Sequence, residues 1–280
     1  MPIQLVAIDL DDTLLRKDLT ISPANHAAIQ SIRQRGIRVV LASGRTMYSM
    51  KPYAAALGLT GPGEYIICSN GAEIIETAHE RIIYERDIDG GLCLDIAQAV
   101  KSHGFSYQFY EEGRIRASTG NNWTSEDTRL TGQKLELIAP EDEKTLLARG
   151  LVKFVIPGEP ERISELYKTM QTFLHGRAEV MISKPYFLEI LPQGANKGEA
   201  LTHLAGLLGI DMEDVLAMGD SMNDAAMLRM AGRGCAPANA TQAARDAADY
   251  ICDFTHEEDA VAHIIDRFIG PNARPDQLED

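Results

Sequence analysis

The sequence predicts an α/β fold in which an inserted α+β module interrupts a doubly wound parallel sheet, and three observations predict it. The first third alternates strand and helix patterns, the stretch from about Tyr84 to Pro192 changes to hairpins mixed with helices, and the alternation resumes at Lys197. With 280 residues, 45% hydrophobic and 24% charged, the chain can build a full core in one large domain or two ordinary ones.

The first strand is Leu5-Val6-Ala7-Ile8, continuously apolar as a strand buried on both faces requires. Asp9-Leu10-Asp11-Asp12-Thr13 closes it with three carboxylates in four residues. Ser22-Pro23 starts a helix, with Ser as N-cap and Pro at the first helical position. Ala24 to Arg35 forms its body and Gly36 its stop. The second strand, Ile37 to Ala42, ends in Ser43-Gly44-Arg45; a helix from about Thr46 to Leu57 follows. The third strand, Tyr65 to Cys68, ends in Ser69-Asn70-Gly71.

Within the insertion, Gly91 to Ser102 is helical, and Phe105 to Tyr110 and Arg114 to Ala117 flank the hairpin signal Glu111-Glu112-Gly113. A strand at Val152 to Ile156 and a helix from about Glu161 to His175 come next. Two strands, Ala178 to Ile182 and Tyr186 to Leu191, are joined at Lys184-Pro185. Lys197 to Leu208 is a helix closed by Gly209, and Val215 to Met218 is a strand ending in Gly219-Asp220. A helix from about Met222 to Met230, a short strand at Gly234-Cys235-Ala236 and a final helix from about Asp259 to Phe268 complete the pattern. These breaks place a discontinuous core at 1–83 and 192–270, the insertion at 84–191, and a Pro-rich, charged tail at 271–280 that is expected to fray.

The net charge of −14 argues against nucleic-acid or anionic-membrane binding, both of which use distributed basic surface. An anionic substrate then requires a local cluster of cations. Cys68, Cys93, Cys235 and Cys252 form no CxxC pair, so buried reduced thiols are expected rather than disulfides or a zinc site. The N-terminus lacks a basic leader and no stretch reaches the roughly 18 apolar residues of a membrane span, so a soluble cytoplasmic protein, monomer or homodimer, is the expectation.

In a parallel sheet the strand ends converge on one edge, where ligands bind. The first carries Asp9 and Asp11, the second Ser43, and the strand at Val215 to Met218 carries Gly219-Asp220-Ser221-Met222-Asn223-Asp224. Each admits a plainer reading. Asp220 or Ser221 suits a helix N-cap, Ser43-Gly44 and Asn70-Gly71 suit tight turns, and Lys197 suits a solvated residue beside Glu199. A cation at a helix N-terminus nevertheless opposes the dipole. Taken together, carboxylates from two strand ends make a hard oxygen site suited to Mg²⁺. A Ser hydroxyl, loop N–H groups and a Lys suit the oxygens of a phosphoryl group.

These residues resemble the haloacid-dehalogenase-like phosphotransferase superfamily, all four of whose motifs occur in order: Asp9 to Thr13, Ser43 in Ala42-Ser43-Gly44-Arg45, Lys197 in Asn196-Lys197-Gly198, and Gly219 to Asp224. Ser69-Asn70-Gly71-Ala72, Phe187 to Pro192 and Asn239-Ala240 resemble the Cof-type phosphatases of subclass IIB, whose cap domain lies between the second and third motifs. Pro237-Ala238 departs from the Met-Gly common before Asn239, and Ala260 from a frequent Gly.

The resemblance implies a Rossmann-like core with an α+β cap and a phosphatase of small phosphorylated metabolites such as sugar phosphates. Asp9 would be the nucleophile, forming an aspartyl-phosphate. Asp11 would protonate the leaving alkoxide and then activate water, for which its neighbours should favour the protonated form at the first step. Mg²⁺ would be held by the Asp9 carboxylate, the Asp11 carbonyl and the Asp220 carboxylate. Ser43, Lys197, Asn223 and the N–H groups of Leu10 and Gly44 would bind the phosphoryl oxygens. Asp224 and Ser221 would support these groups, Asp12 would be structural, and Arg45 stays between a phosphate contact and a salt bridge. Polar loops of the cap, with Asn121, Asn122, Trp123 and Lys184 as candidates, would read the leaving group. A hexose-phosphate mutase using the same aspartates is the main alternative, and a non-catalytic regulator that senses phosphorylated metabolites is another. A receiver domain is disfavoured because its acceptor Asp ends the third strand, an EF-hand because Leu14 and Thr20 replace its Gly and Glu, and a dinucleotide-binding enzyme because no GxGxxG follows the first strand.

Overall fold

A computed structural model describes residues 2–270; the expected tail at 271–280 lies outside the described residues. Residues up to Tyr84 together with those from Asn196 form one compact unit, and Glu85–Ala195 form a second. The chain begins with β1 (Leu5–Ile8), α1 (Pro23–Gln34), β2 (Arg38–Ala42), α2 (Met47–Ala56), β3 (Tyr65–Cys68), β4 (Glu73–Glu76) and β5 (Arg81–Glu85). Next come α3 (Gly90–Ser102), β6 (Gln108–Glu111), β7 (Arg114–Ala117), α4 (Asn122–Thr131) and β8 (Lys134–Leu137). They are followed by α5 (Pro140–Leu147), β9 (Phe154–Pro157), α6 (Pro160–Phe173), β10 (Ala178–Lys184) and β11 (Phe187–Pro192). The chain closes with α7 (Lys197–Leu208), β12 (Val215–Met218), α8 (Ala225–Met230), β13 (Arg233–Ala236), α9 (Gln242–Arg245), β14 (Tyr250–Ile251) and α10 (Ala260–Ile269).

The sheet of the first unit has the order β14-β13-β12-β1-β2-β3-β4-β5. Pairing is parallel from β14 through β3. Helices cover both faces, which is why β1 is apolar at every position. Val6 and Ile8 pack with Ile29, Ile32, Ile264 and Phe268 of α1 and α10. Leu5 and Ala7 pack with Leu201, Leu204, Met227 and Leu228 of α7 and α8. Each fully buried Leu or Ile contributes about 1.5–3 kcal/mol, so this strand anchors the sheet.

The sheet is not wholly parallel, because β4 runs antiparallel to β3. The connection is only the turn Ser69–Gly71 and Ala72, and a link that short cannot make the crossover that parallel strands need. Neither β4 nor β5 is evident from Glu73–Glu76 or Arg81–Glu85, where charged ends mask the apolar residues between them. The helix expected from Met222 begins as a 3-10 turn, Met222–Asp224, before α8. There the Asp224 carboxylate accepts from the backbone N–H groups of Asp220 and Ser221 at 3.1 and 2.9 Å, tightening the first turn.

The second unit carries a sheet of order β10-β11-β9-β6-β7-β8. One face packs Phe109, Phe154, Leu188 and Ile190 against Ile96, Val100, Ile163 and Leu166 of α3 and α6. The β6–β7 hairpin turns through Glu112 and Gly113, both at positive φ. β8 is parallel to β7, and α4 supplies the crossover. Asn121 caps α4, accepting from Thr124 N–H at 2.9 Å. Trp123 stacks on Tyr186 with centroids 4.5 Å apart. Asn121 to Trp123 thus form the start of a helix and not a loop. The other sheet face buries polar groups: Tyr110 donates to Asp127 at 2.8 Å, Lys153 donates to Glu189 at 3.2 Å, and burial pushes Asp127 up to about 6. The four cysteines are free and buried. No described helix is long and apolar enough to cross a membrane.

Candidate active site

Register brings the predicted residues together. Ile8 lies opposite Met218 of β12 and Leu41 of β2, and Ala42 lies opposite Ile67 of β3. Asp9, Ser43 and Gly219 therefore leave the sheet from neighbouring strand ends. Asp9 N–H donates to Met218 O at 2.9 Å, and Ser43 N–H to Ile67 O at 2.9 Å. After Asp9 the chain curls, the Leu10 carbonyl accepting from Leu14 and Leu15 N–H at 3.0 and 2.8 Å. Asp12, at φ 58°, is held through its carbonyl by Asn239 Nδ2 at 2.8 Å.

Lys197 is the first residue of α7 and is completely buried. Its ammonium donates to Asp9 Oδ1 at 2.5 Å and to Asp224 Oδ1 at 2.6 Å. The reading of Lys197 as a solvated residue is thus overturned, since the two carboxylates supply the compensation the helix dipole does not. Two close approaches place these groups. A Cβ on Gly198 would stand 2.8 Å from Ala226 carbonyl atoms, and one on Gly219 would stand 2.5 Å from Asp224 Cβ. Asn196 caps α7, its Oδ1 accepting from Glu199 N–H at 2.9 Å.

The electrostatics are acidic. Burial, then Asp224, holds the Asp9 carboxyl well above the usual range, against the pull of Lys197. Asp220 is pushed up to about 7 by burial, then by Asp224 and Asp12, although Thr13 donates to it at 3.2 Å. Burial opposes the charge on Lys197, but Asp224 and Asp9 outweigh it and its pKa is raised. Carboxylate oxygens of Asp9, Asp220 and Asp224 lie within 4.8 Å of one another, all three residues being buried. Three carboxylates gathered around one ammonium form an all-oxygen donor set in excess of its cation, and such a set fits Mg²⁺.

Asp11 stands apart from this cluster, with its side chain 49% exposed. Arg45 holds it through Nε to Oδ2 at 2.9 Å and Nη2 to Oδ1 at 2.6 Å. Of the two roles left open for Arg45, the salt bridge is the one present. A guanidinium partner favours a carboxylate, so this neighbour does not supply the preference for the protonated form expected for Asp11. Ser43 Oγ accepts from Arg45 N–H at 3.2 Å, which leaves its own proton to donate elsewhere.

Asn223 and Gly44 meet at a residue read from the sequence as a turn. Asn223 Nδ2 donates to Asn70 Oδ1 at 2.9 Å, and a Cβ on Gly44 would lie 2.9 Å from that same oxygen. Thr13 and Asn239 also support the site; the first lay inside the acidic segment and the second in a motif with no assigned role. Ser221 contributes its N–H to Asp224 and caps the turn that follows. In total, Asp9, Ser43, Lys197, Asp220 and Asp224 are buried at one sheet edge, with Asn223 and Gly44 joined through Asn70.

A family model of haloacid dehalogenase-like hydrolases matches residues 6–265. The chain is 32% identical over 269 residues to a 5-amino-6-(5-phospho-D-ribitylamino)uracil phosphatase of Bacillus subtilis, covering 95% of this chain and 96% of that protein. Among solved structures, a haloacid dehalogenase-like hydrolase from Bacteroides thetaiotaomicron aligns with a TM-score of 0.86 at 31% identity, over 95% of this chain and 99% of that one. A subclass IIB sugar phosphatase shares the fold, with a TM-score of 0.78 at 20% identity over 95% of this chain and 98% of the other.

Proposed function

The chain belongs to the haloacid dehalogenase-like hydrolase family, and from that premise we propose that it is a Mg²⁺-dependent phosphatase of small phosphomonoesters acting through an aspartyl-phosphate at Asp9. The observation that carries this reading is the buried contact of Lys197 with both Asp9 and Asp224 at the edge where Ser43 and Asp220 also emerge. A carboxylate beside a fixed cation and a hydroxyl donor is what an incoming phosphoryl group needs, which supports Asp9 as the nucleophile.

An Asp9 carboxylate oxygen attacks phosphorus, and the bond from phosphorus to the ester oxygen breaks. Asp11 gives its proton to the departing oxygen, an assistance of roughly 10²–10⁴-fold for an alkoxide leaving group. A water molecule, losing its proton to Asp11, then attacks the acyl phosphate; Asp9 is regenerated and inorganic phosphate leaves. Ser43, Lys197, Asn223 and the N–H groups of Leu10 and Gly44 bind the phosphoryl oxygens. The Asp9 and Asp220 carboxylates and the Asp11 carbonyl would hold Mg²⁺, which when bound offsets repulsion between an anionic nucleophile and an anionic phosphate. Asp224 holds Lys197. The Asp11 carboxylate paired with Arg45 is the form the second step uses.

The substrate class is supported by the Bacillus subtilis relative, a phosphatase of a phosphorylated ribityl compound. Phosphate release over a panel of sugar phosphates, ribityl phosphates, pyridoxal phosphate and flavin mononucleotide tests the reading. Release with Mg²⁺ and without a bisphosphate activator is expected. Turnover that appears only with such an activator would instead indicate a mutase, and no turnover on any member would count against an enzyme of this class.

A further inference from the structure

We propose that Asn70 is a positioning residue for phosphate binding, its side-chain amide setting the orientation of Asn223 while its turn braces the Ser43–Gly44 loop and the start of α7. The proposal rests on the phosphate-binding roles given above to Asn223, Gly44 and Lys197.

The turn after β3 touches all three. Asn70 N–H donates to Ser43 O at 3.0 Å and Ser69 N–H to Arg45 O at 2.9 Å, so the loop after β2 is tied to the turn at two points. On the far side a Cβ on Gly71, at φ 93°, would stand 2.2 Å from Asn196 O and 2.9 Å from Lys197 N, so only glycine lets the turn approach the start of α7 this closely. Asn70 is 4% exposed and lies at φ 57°, ψ 29°, a left-handed conformation that Asn tolerates better than most residues. The backbone contacts would survive many substitutions; the side-chain contacts would not. Asn70 Oδ1 accepts one Nδ2 proton of Asn223 at 2.9 Å. An amide nitrogen carries two protons in a fixed plane, so engaging one directs the other. A donor held in advance costs no reorientation when the phosphoryl group arrives.

The test is a double-mutant cycle with Asn70→Gly, which deletes the amide but keeps the left-handed backbone available, and Asn223→Ala. Measured quantities are kcat/KM on the best panel substrate and the affinity for orthovanadate with Mg²⁺. Asn70→Gly alone should lower both by roughly tenfold, the worth of one orienting hydrogen bond. In the Asn223→Ala background it should change them by less than about twofold, since the group it positions is gone. Equal losses in both backgrounds, or no loss in either, would overturn the proposal.

Gly44→Ala gives an independent reading should Asn70→Gly fold poorly. The new methyl strikes Asn70 Oδ1, so vanadate affinity should fall in the otherwise native chain, and unchanged affinity would count against the arrangement. Failure of the phosphatase reading is separately visible. The native chain would then release phosphate from no substrate, while the vanadate cycle still reports on Asn70.

Discussion

Replacing Lys197 by Met tests the buried charge arrangement most sharply. The ammonium is fully enclosed and bonded to Asp9 at 2.5 Å and Asp224 at 2.6 Å. Its removal strands two carboxylates beside Asp220. Breaking a buried pair from one side costs about 3–5 kcal/mol. At about 2–4 °C per kcal/mol for a domain of this size, that is a melting shift of roughly 6–20 °C. The loss should depend on pH with a defined sign. Lys197 has a raised pKa, so its stabilisation is fully present below its unfolded value near 10.5 and constant between about pH 5.5 and 8.5. In the variant Asp9, already held above the usual range by burial, must take a proton to be tolerated, so the variant regains stability as pH falls. Urea unfolding of native chain and variant at both ends of that window measures the difference. Lys197→Met/Asp224→Asn should recover part of the loss, because one of the two stranded charges is then gone while Asp9 still lacks its counter-charge. A loss below about 1 kcal/mol, or one equal at both pH values, would refute the reasoning.

Other consequences follow from the same geometry. Asp220 is pushed up to about 7, so Mg²⁺ affinity measured by calorimetry should fall as pH drops from 8 to 6, while the metal-free protein becomes more stable over that interval because its folded state binds the extra proton. Burial likewise raises Asp127 to about 6, so Asp127→Asn should remove the part of the pH dependence of stability between about pH 4 and 6 in which acid stabilises the native chain; thermal melts across that range check it. Gly219→Ala places a methyl 2.5 Å from Asp224 Cβ and should cut kcat at least about tenfold by displacing the partner of Lys197; phosphate release reads it, and native kcat would show the contact is dispensable.

The Asp9 to Thr13 segment was legible because an apolar run ending in three acids is costly unless a cation or a function answers it, and Lys197 and the all-oxygen cluster give that answer. The strand-end logic extended to Ser43 and Asp220, since parallel register fixes which residues leave the sheet together. Asn70 was hidden for a physical reason: Asn-Gly fits a left-handed turn whatever its side chain contacts, so local pattern cannot reveal the contact with Asn223. The same holds for α4, whose polar composition resembles a loop and whose existence follows from the parallel pairing of β7 and β8. Arg45 shows the limit for charges, because its pairing with Asp11 depends on the turn of each loop and not on spacing.

The central claim is that Asp9 becomes phosphorylated during turnover. Rapid quenching of the native chain with Mg²⁺ and a labelled substrate, followed by peptide mapping of the acid-stable phosphoenzyme, tests it directly. The label is expected on Asp9 and should be absent from an Asp9→Asn variant that still folds. Turnover with label on another residue, or with Asp9→Asn retaining substantial activity, would contradict the account.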